Sequence, residues 1–149
     1  MNYIFNKSLV KTNVKVNDWI QAVKIAGDLL IQNDLVEARF VDAMIDIVKE
    51  KGPYIVISKN LAIPHARPED GAKKVGISVV TLEKPVKFGH KQNDPVKVVI
   101  ALTSIDEKSH IELISHLARV LSNKQNFERL KTADTEEEVV KILGKEVQN

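Results

Sequence analysis

Apolar residues in the first third of the chain recur at helical spacing. Trp19, Ile20, Val23, Ile25, Ala26, Leu29 and Leu30 follow that pattern, and Asn17 or Asp18 is placed to cap its start. Asn33-Asp34 breaks the run. A second helix is predicted next, with Val36, Phe40, Ala43, Met44, Ile47 and Val48 on one side, and Gly52-Pro53 stops it.

The middle of the chain changes period. Residues 54–57 form a short β-rich run, and residues 61–63 form another that ends at Pro64. Residues 75–82 (VGISVVTL) and 96–102 (VKVVIAL) are the clearest strands. The second is almost continuously apolar, as expected of a strand covered on both faces. The last third is helical again. Ser109-x-x-Glu112 fits a capping box ahead of Ile111, Leu113, Ile114, Leu117, Val120 and Leu121, and further helices are expected near Asn123 and Thr135. Helices at both ends and strands between them predict an α/β sandwich, with helices on both faces of a sheet. The pattern does not give the strand order. No repeat or Pro/Gly-rich linker interrupts the chain, so residues 1–149 read as one domain.

Composition narrows the chemistry. The chain is 44% hydrophobic and 28% charged, which fits a folded water-soluble domain rather than a disordered one. A net charge of +2 and the lack of a dense basic run give no reason to expect nucleic-acid binding. With no cysteine, disulfides, thiolate metal sites and cysteine nucleophiles are excluded, and a cytoplasmic location is compatible. The N-terminal segment lacks the pattern of a signal peptide, and no apolar stretch approaches the roughly 20 residues that span a bilayer.

Histidine is the side chain that titrates near neutrality, and there are four: His65, His90, His110 and His116. His65 stands in Asn60-Leu-Ala-Ile-Pro-His-Ala-Arg-Pro-Glu69, at the end of an apolar strand and between two prolines. That setting displays a side chain instead of burying it. Arg67 offers a planar fork of donors suited to phosphate. On these residues alone the segment reads first as an ordinary surface turn with both side chains solvated. If Ser109 caps its helix, His110 is the first helical residue and lies at the positive end of the helix dipole, a favourable place for an anion. An ordinary surface histidine is the competing reading there.

His116 lies about 240° around the helix from His110, so the two are not a metal pair, and it reads as a rim residue. His90, in Phe-Gly-His-Lys-Gln-Asn-Asp-Pro, reads as a solvated loop residue. No GxxxxGK[ST], GxGxxG, GxSxG or HExxH occurs, so no cofactor, nucleotide or metal is expected.

Several of these elements share one order. Gly52-Pro-Tyr, then Leu-Ala-Ile-Pro-His65-Ala-Arg-Pro-Glu-Asp-Gly71, then Phe88, then Asn93-Asp-Pro95-Val, then residues 106–113 with His110 resemble the mannitol/fructose-type enzyme IIA of the sugar phosphotransferase system. The G-P-Y, P-H-x-R-P-E-x-G and D-P-V elements look like its ascorbate branch. The resemblance implies a mixed, largely five-stranded sheet between helical layers. It implies that His65 is phosphorylated by the phosphocarrier HPr and passes the phosphoryl group to a cysteine of an enzyme IIB. That IIB is expected as a separate polypeptide, working with a membrane IIC. His110 falls at the family's second active-centre histidine. Mannitol-type members carry an arginine sixteen residues before the active histidine, where this chain has Lys49, which leaves Lys49 and Arg67 as alternative substitutes.

Three rivals remain at this level. The first is a regulatory protein of the same fold that signals to a transcription factor or kinase. The second is a metal enzyme using His65, His110 and a carboxylate. The third is an interaction domain with incidental histidines.

Overall fold

Asp18 opens the first long helix, its carboxylate accepting the Gln21 N–H at 2.9 Å. The computed structural model describes residues 2–144, so the ends of the expected 1–149 domain lie outside the described residues. That helix, α1 (Trp19–Gln32), closes when the Asn33 side chain donates to the Leu29 carbonyl at 2.8 Å. Helix α2 (Ala38–Lys51) follows and ends at Gly52, whose φ of 90° takes the chain out of helical geometry.

The strands are β1 (Val10–Val14), β2 (Val56–Ser58), β3 (Leu61–Ala62), β4 (Gly76–Val86) and β5 (Val96–Thr103). They form one five-stranded sheet in the order β1-β4-β5-β3-β2. β1 runs parallel to β4 and β3 parallel to β5, while β4/β5 and β2/β3 are antiparallel, so the sheet is mixed as expected. Helices α3 (Glu107–Leu121), α4 (Lys124–Thr132) and α5 (Glu136–Gly144) complete the chain.

Alternate residues of the central strands serve two cores. Val80, Leu82, Val99 and Ala101 pack with Ala26, Leu30, Phe40 and Met44 of α1 and α2. Val79, Val98, Ile100 and Leu102 pack with Leu113, Leu117, Leu130 and Ile142 of α3, α4 and α5. The period-2 alternation of a strand puts each set on its own face, which yields the expected three layers. No helix among the described residues is long and apolar enough to cross a membrane.

The structure departs from the sequence reading in several places, among them β2, which spans Val56–Ser58 rather than residues 54–57. β1 was not expected. Only Val10 of its five residues is buried, so its own pattern is weak, and parallel pairing of Val10 with Val79 holds it at the sheet edge. β4 runs past Leu82 to Val86, through the exposed Glu83, Lys84 and Pro85, which interrupt the apolar pattern. The start of α3 differs too. Asp106, not Ser109, is the cap: its carboxylate accepts the Ser109 N–H at 2.7 Å, and the Ser109 hydroxyl accepts the Asp106 N–H at 3.2 Å. A charged acceptor three residues upstream outcompetes the serine and moves the helix start back by one turn.

Candidate active site

The strand order itself brings the two candidate histidines together. β3 and β5 are parallel neighbours, so both deliver their following residues to the same edge of the sheet. Asn60 makes the tight turn into β3 at a φ of 72° and donates its side-chain amide to the Pro95 carbonyl at 2.7 Å. The Ile63 N–H bonds the Ile55 carbonyl at 2.8 Å, and the Pro64 carbonyl accepts the Leu102 N–H at 3.1 Å. These bonds fix the backbone on either side of the point where His65 leaves the sheet. α3 begins just after β5 and carries His110 over the same edge. Ligands in α/β sheets characteristically bind at such carboxyl ends.

The rings of His65 and His110 lie 5.2 Å apart, centroid to centroid, and are tilted by 52°. Both are half-buried. His65 bonds the Ile63 carbonyl through Nδ1 at 2.8 Å. A carbonyl oxygen only accepts, so Nδ1 carries the proton and Nε2 keeps its lone pair. Burial lowers the pKa of His65; the Ile63 bond opposes that shift, and the charge of His110 adds to it. The ring is therefore neutral at neutral pH, with a free nucleophilic nitrogen. His110 occupies the second turn of α3, and its own N–H already bonds the Asp106 carbonyl at 3.1 Å. It is thus not the first helical residue, and what it offers the cleft is its ring rather than a free amide.

These rings stand in an open cleft of about 830 Å³. Ala43, Asp46, Ile47, Glu50 and Lys51 of α2 form one wall, at the i, i+3, i+4, i+7, i+8 spacing of a helix face. Tyr54 and residues 65–70 form another, and Asp106, Glu107 and His110 the third. Arg67 lines the cleft, but its guanidinium is engaged. Its Nε donates to the Asp70 carboxylate at 3.4 Å, its backbone N–H to the same oxygen at 3.1 Å, and the side chain is 71% exposed. Asp70 and Glu69 raise the Arg67 pKa above its ordinary value.

The profile of the family described as "Phosphoenolpyruvate-dependent sugar phosphotransferase system, EIIA 2" matches residues 3–146. The chain belongs to that EIIA family. It is a phosphotransferase component, a phosphoryl carrier of the sugar phosphotransferase system. This EIIA chain is 42% identical over 141 residues to the ascorbate-specific PTS system EIIA component of Escherichia coli K12, covering 94% of the chain and 91% of that protein. Its fold matches the E. coli mannitol-specific cryptic phosphotransferase enzyme IIA CmtB with a TM-score of 0.85 at 31% identity, covering 96% of each. It also matches the complex of E. coli enzyme IIA(Mtl) and phosphorylated enzyme IIB(Mtl), with a TM-score of 0.85, 25% identity and coverage of 97% and 99%.

The other histidines of this EIIA chain lie outside the cleft. His116 is not a rim residue but is 5% exposed, in the core stripe of Leu113, Leu117 and Val120. Its ring lies 5.4 Å from that of Tyr3, whose phenol burial pushes up to about 12. His90 is not simply solvated. It is half-buried, and its Nδ1 accepts the Gln92 N–H at 3.2 Å and the Asn93 N–H at 3.0 Å, which closes the turn before Pro95.

The sequence reading missed Tyr54 and the cleft-facing side of α2. The Tyr54 ring meets His65 edge-on, 5.9 Å away at 89°, and flanks the imidazole. The G-P-Y element marked that position, but nothing local in it points back to a histidine eleven residues later. Lys49 does not line the cleft.

Proposed function

We propose that His65 is the phosphoryl acceptor of this EIIA chain, through Nε2, with HPr as donor and a cysteine of an enzyme IIB as acceptor. The observation that carries this reading is the Nδ1 bond to Ile63, which leaves Nε2 as the lone-pair nitrogen beside the open cleft. The Nε2 lone pair attacks the phosphorus of the phosphohistidine on HPr. The donor's N–P bond breaks, and its electron pair returns to the donor imidazole. The new phosphoimidazolium on His65 keeps its Nδ1 proton, and the Ile63 carbonyl stabilises the positive charge. In the second half-reaction a IIB thiolate attacks the same phosphorus, and the P–N pair returns to Nε2. Such transfer depends on in-line placement and charge neutralisation more than on covalent help from the protein.

His110 donates to the phosphoryl oxygens and holds the His65 ring. Arg67 adds positive charge once an incoming phosphate competes for it, since an exposed ion pair holds it only weakly. Tyr54 lines the cleft, Ile105 and Ile111 adjoin Asp106 and His110 in the chain, and all three are exposed, as is Ile57 of β2. Tyr54 is 45% exposed, Ile57 52%, Ile105 52% and Ile111 55%. They are the surface on which the protein partners dock transiently.

The carbohydrate served is L-ascorbate or a close relative, delivered through a IIB and a membrane IIC. Support comes from the 42% identity to the ascorbate-specific component, against 31% to the mannitol-type one. The chain acts as one domain in the cytoplasm, where phosphoenolpyruvate, the ultimate donor, is made.

The test is labelling by phosphoenolpyruvate, enzyme I and HPr. Acid-labile, base-stable phosphate is expected on the wild type and none on His65→Ala. His110→Ala should still label, about a hundredfold more slowly, as for loss of one charge-stabilising donor. Full labelling of His65→Ala defeats the assignment. Transfer onward to purified IIB proteins of ascorbate and mannitol systems tests the carbohydrate.

A further inference from the structure

The cleft around His65 is the wrong sign for a phosphate. Six carboxylates line it, on Asp46, Glu50, Glu69, Asp70, Asp106 and Glu107, against two permanent cations, Lys51 and Arg67. A phosphoryl dianion crossing this cleft needs a local positive charge that the lining mostly opposes. Before phosphate arrives Arg67 is paired with Asp70, whose carboxylate accepts from both its Nε and its backbone N–H. Among the described residues Lys51 forms no ion pair.

We propose that Lys51 is a further catalytic cation of the site, beside Arg67, meeting the phosphoryl group while it is held by His65. This rests on His65 being the phosphorylated residue. Lys51 is the last residue of α2 and shares the helix face of Ala43, Ile47 and Glu50 that walls the cleft. Lys49, about 100° around the helix from Glu50 and about 200° from both Ile47 and Lys51, does not line the cleft. The placement has a second use. The carbonyl end of α2, the negative pole of its dipole, also lies at this wall, and Lys51 offsets it where an anion must pass. An ammonium on a flexible four-carbon stem is a point charge with three donors. It can follow the phosphorus from the donor nitrogen to His65 and on to the acceptor sulfur, which a fixed guanidinium fork does less readily.

The experiment compares Lys51→Met, Lys51→Arg and Lys49→Met with the wild type. One readout is the initial rate of transfer from phosphorylated HPr. The other is the pH titration of the phosphohistidine phosphorus by 31P NMR. Lys51→Met is expected to lose tenfold to about a hundredfold in rate, and Lys51→Arg to recover most of it. Lys49→Met should match the wild type. Loss of a cation touching the phosphoryl group disfavours the dianion, so Lys51→Met should raise the 31P titration midpoint. A slow Lys51→Met with an unmoved 31P midpoint assigns the lysine to partner docking and overturns the proposal. A Lys51→Met as fast as wild type overturns it as well, while an unlabelled His65→Ala in the same series leaves the role of His65 standing. A wild type that takes no label from HPr removes both.

Discussion

The Nδ1–H of His65 donates to the carbonyl oxygen of Ile63, two residues back in the chain, at 2.8 Å. The backbone that makes this bond is itself held by the Ile63–Ile55 and Leu102–Pro64 bonds of the sheet, so the ring is oriented before any partner arrives. The Nδ1 bond fixes the tautomer and leaves Nε2 as the nitrogen that keeps its lone pair.

The protonation state of that ring sets a pH dependence. Burial lowers the His65 pKa from its ordinary 6.5; the Ile63 bond raises it, and the His110 charge lowers it, with a net downward shift. An NMR titration of the imidazole should therefore give a midpoint below 6.5. Phosphoryl acceptance should hold at neutral pH and fall as pH drops through that midpoint, because protonation removes the Nε2 lone pair. Stability follows the same sign. Between the folded midpoint and 6.5 the unfolded chain binds the proton that the folded ring resists, so stability declines as pH falls through this window. His65→Gln should remove that part of the slope. A midpoint above 6.5 contradicts the burial argument.

Asp106 makes a second prediction. Its carboxylate accepts the Ser109 N–H, and that bond holds its pKa below the ordinary carboxylate value. Asp106→Ala leaves the first turn of α3 without its acceptor, one residue before the turn that carries His110. The expected result is a lower melting temperature together with slower phosphoryl acceptance. Asp106→Asn, which keeps an acceptor oxygen, should restore most of both. The contribution of Asp106 is present above its unfolded pKa and lost as pH falls through the lower folded one, so the Ala variant should differ least from wild type at strongly acidic pH. Slow acceptance with an unchanged melting temperature would instead give Asp106 a direct part in the cleft.

How much of this was legible in the residues follows from the range of the forces involved. α1, α2, β4 and β5 are written in periodicity, because their buried faces are long and continuous. The His65 loop is written in its prolines. What could not be read is non-local. β1 has one buried residue and owes its existence to β4. His116 looked like a rim residue because its polarity says surface, while the core stripe of α3 says interior, and packing won. The approach of His65 to His110 follows from β3 and β5 being parallel neighbours, and no local pattern encodes strand order.

Gly27, in the middle of α1, tests how closely α1 and α2 must approach. A Cβ there would stand 2.6 Å and 2.8 Å from the two Cγ atoms of Val41. Alanine gains about 1 kcal/mol of helix propensity over glycine, but overpacking a tight contact costs about 1–3 kcal/mol. Gly27→Ala should therefore be destabilising on balance, read as a lower urea midpoint at unchanged m-value. Gly27→Ala with Val41→Ala should be less destabilised than the sum of the two single variants. A stabilised single variant would show that Val41 turns aside freely.

Arg39 joins the start of α2 to the loop that leaves His65. Its Nε donates to Glu37 at 2.6 Å and its Nη1 to the Glu69 carbonyl at 2.9 Å. Below it the Glu37 N–H bonds the Gly71 carbonyl at 2.8 Å, and Gly71 adopts a φ of 124° that L side chains avoid. The Arg39–Glu37 pair is well exposed, with side chains 61% and 48% accessible, so its loss should change global stability little. The loop is another matter, because Glu69 lies only four residues beyond His65 and its carbonyl has a charged donor to lose. Arg39→Ala should speed hydrogen exchange of the Gly71 and Ala72 amides, which bond the Pro68 carbonyl. It should also slow phosphoryl acceptance several-fold while the melting temperature stays within a degree or two, the pattern of a local rather than global opening. Unchanged exchange at Gly71 and Ala72 would mean that the loop holds its shape through Asp70 and Gly71 alone.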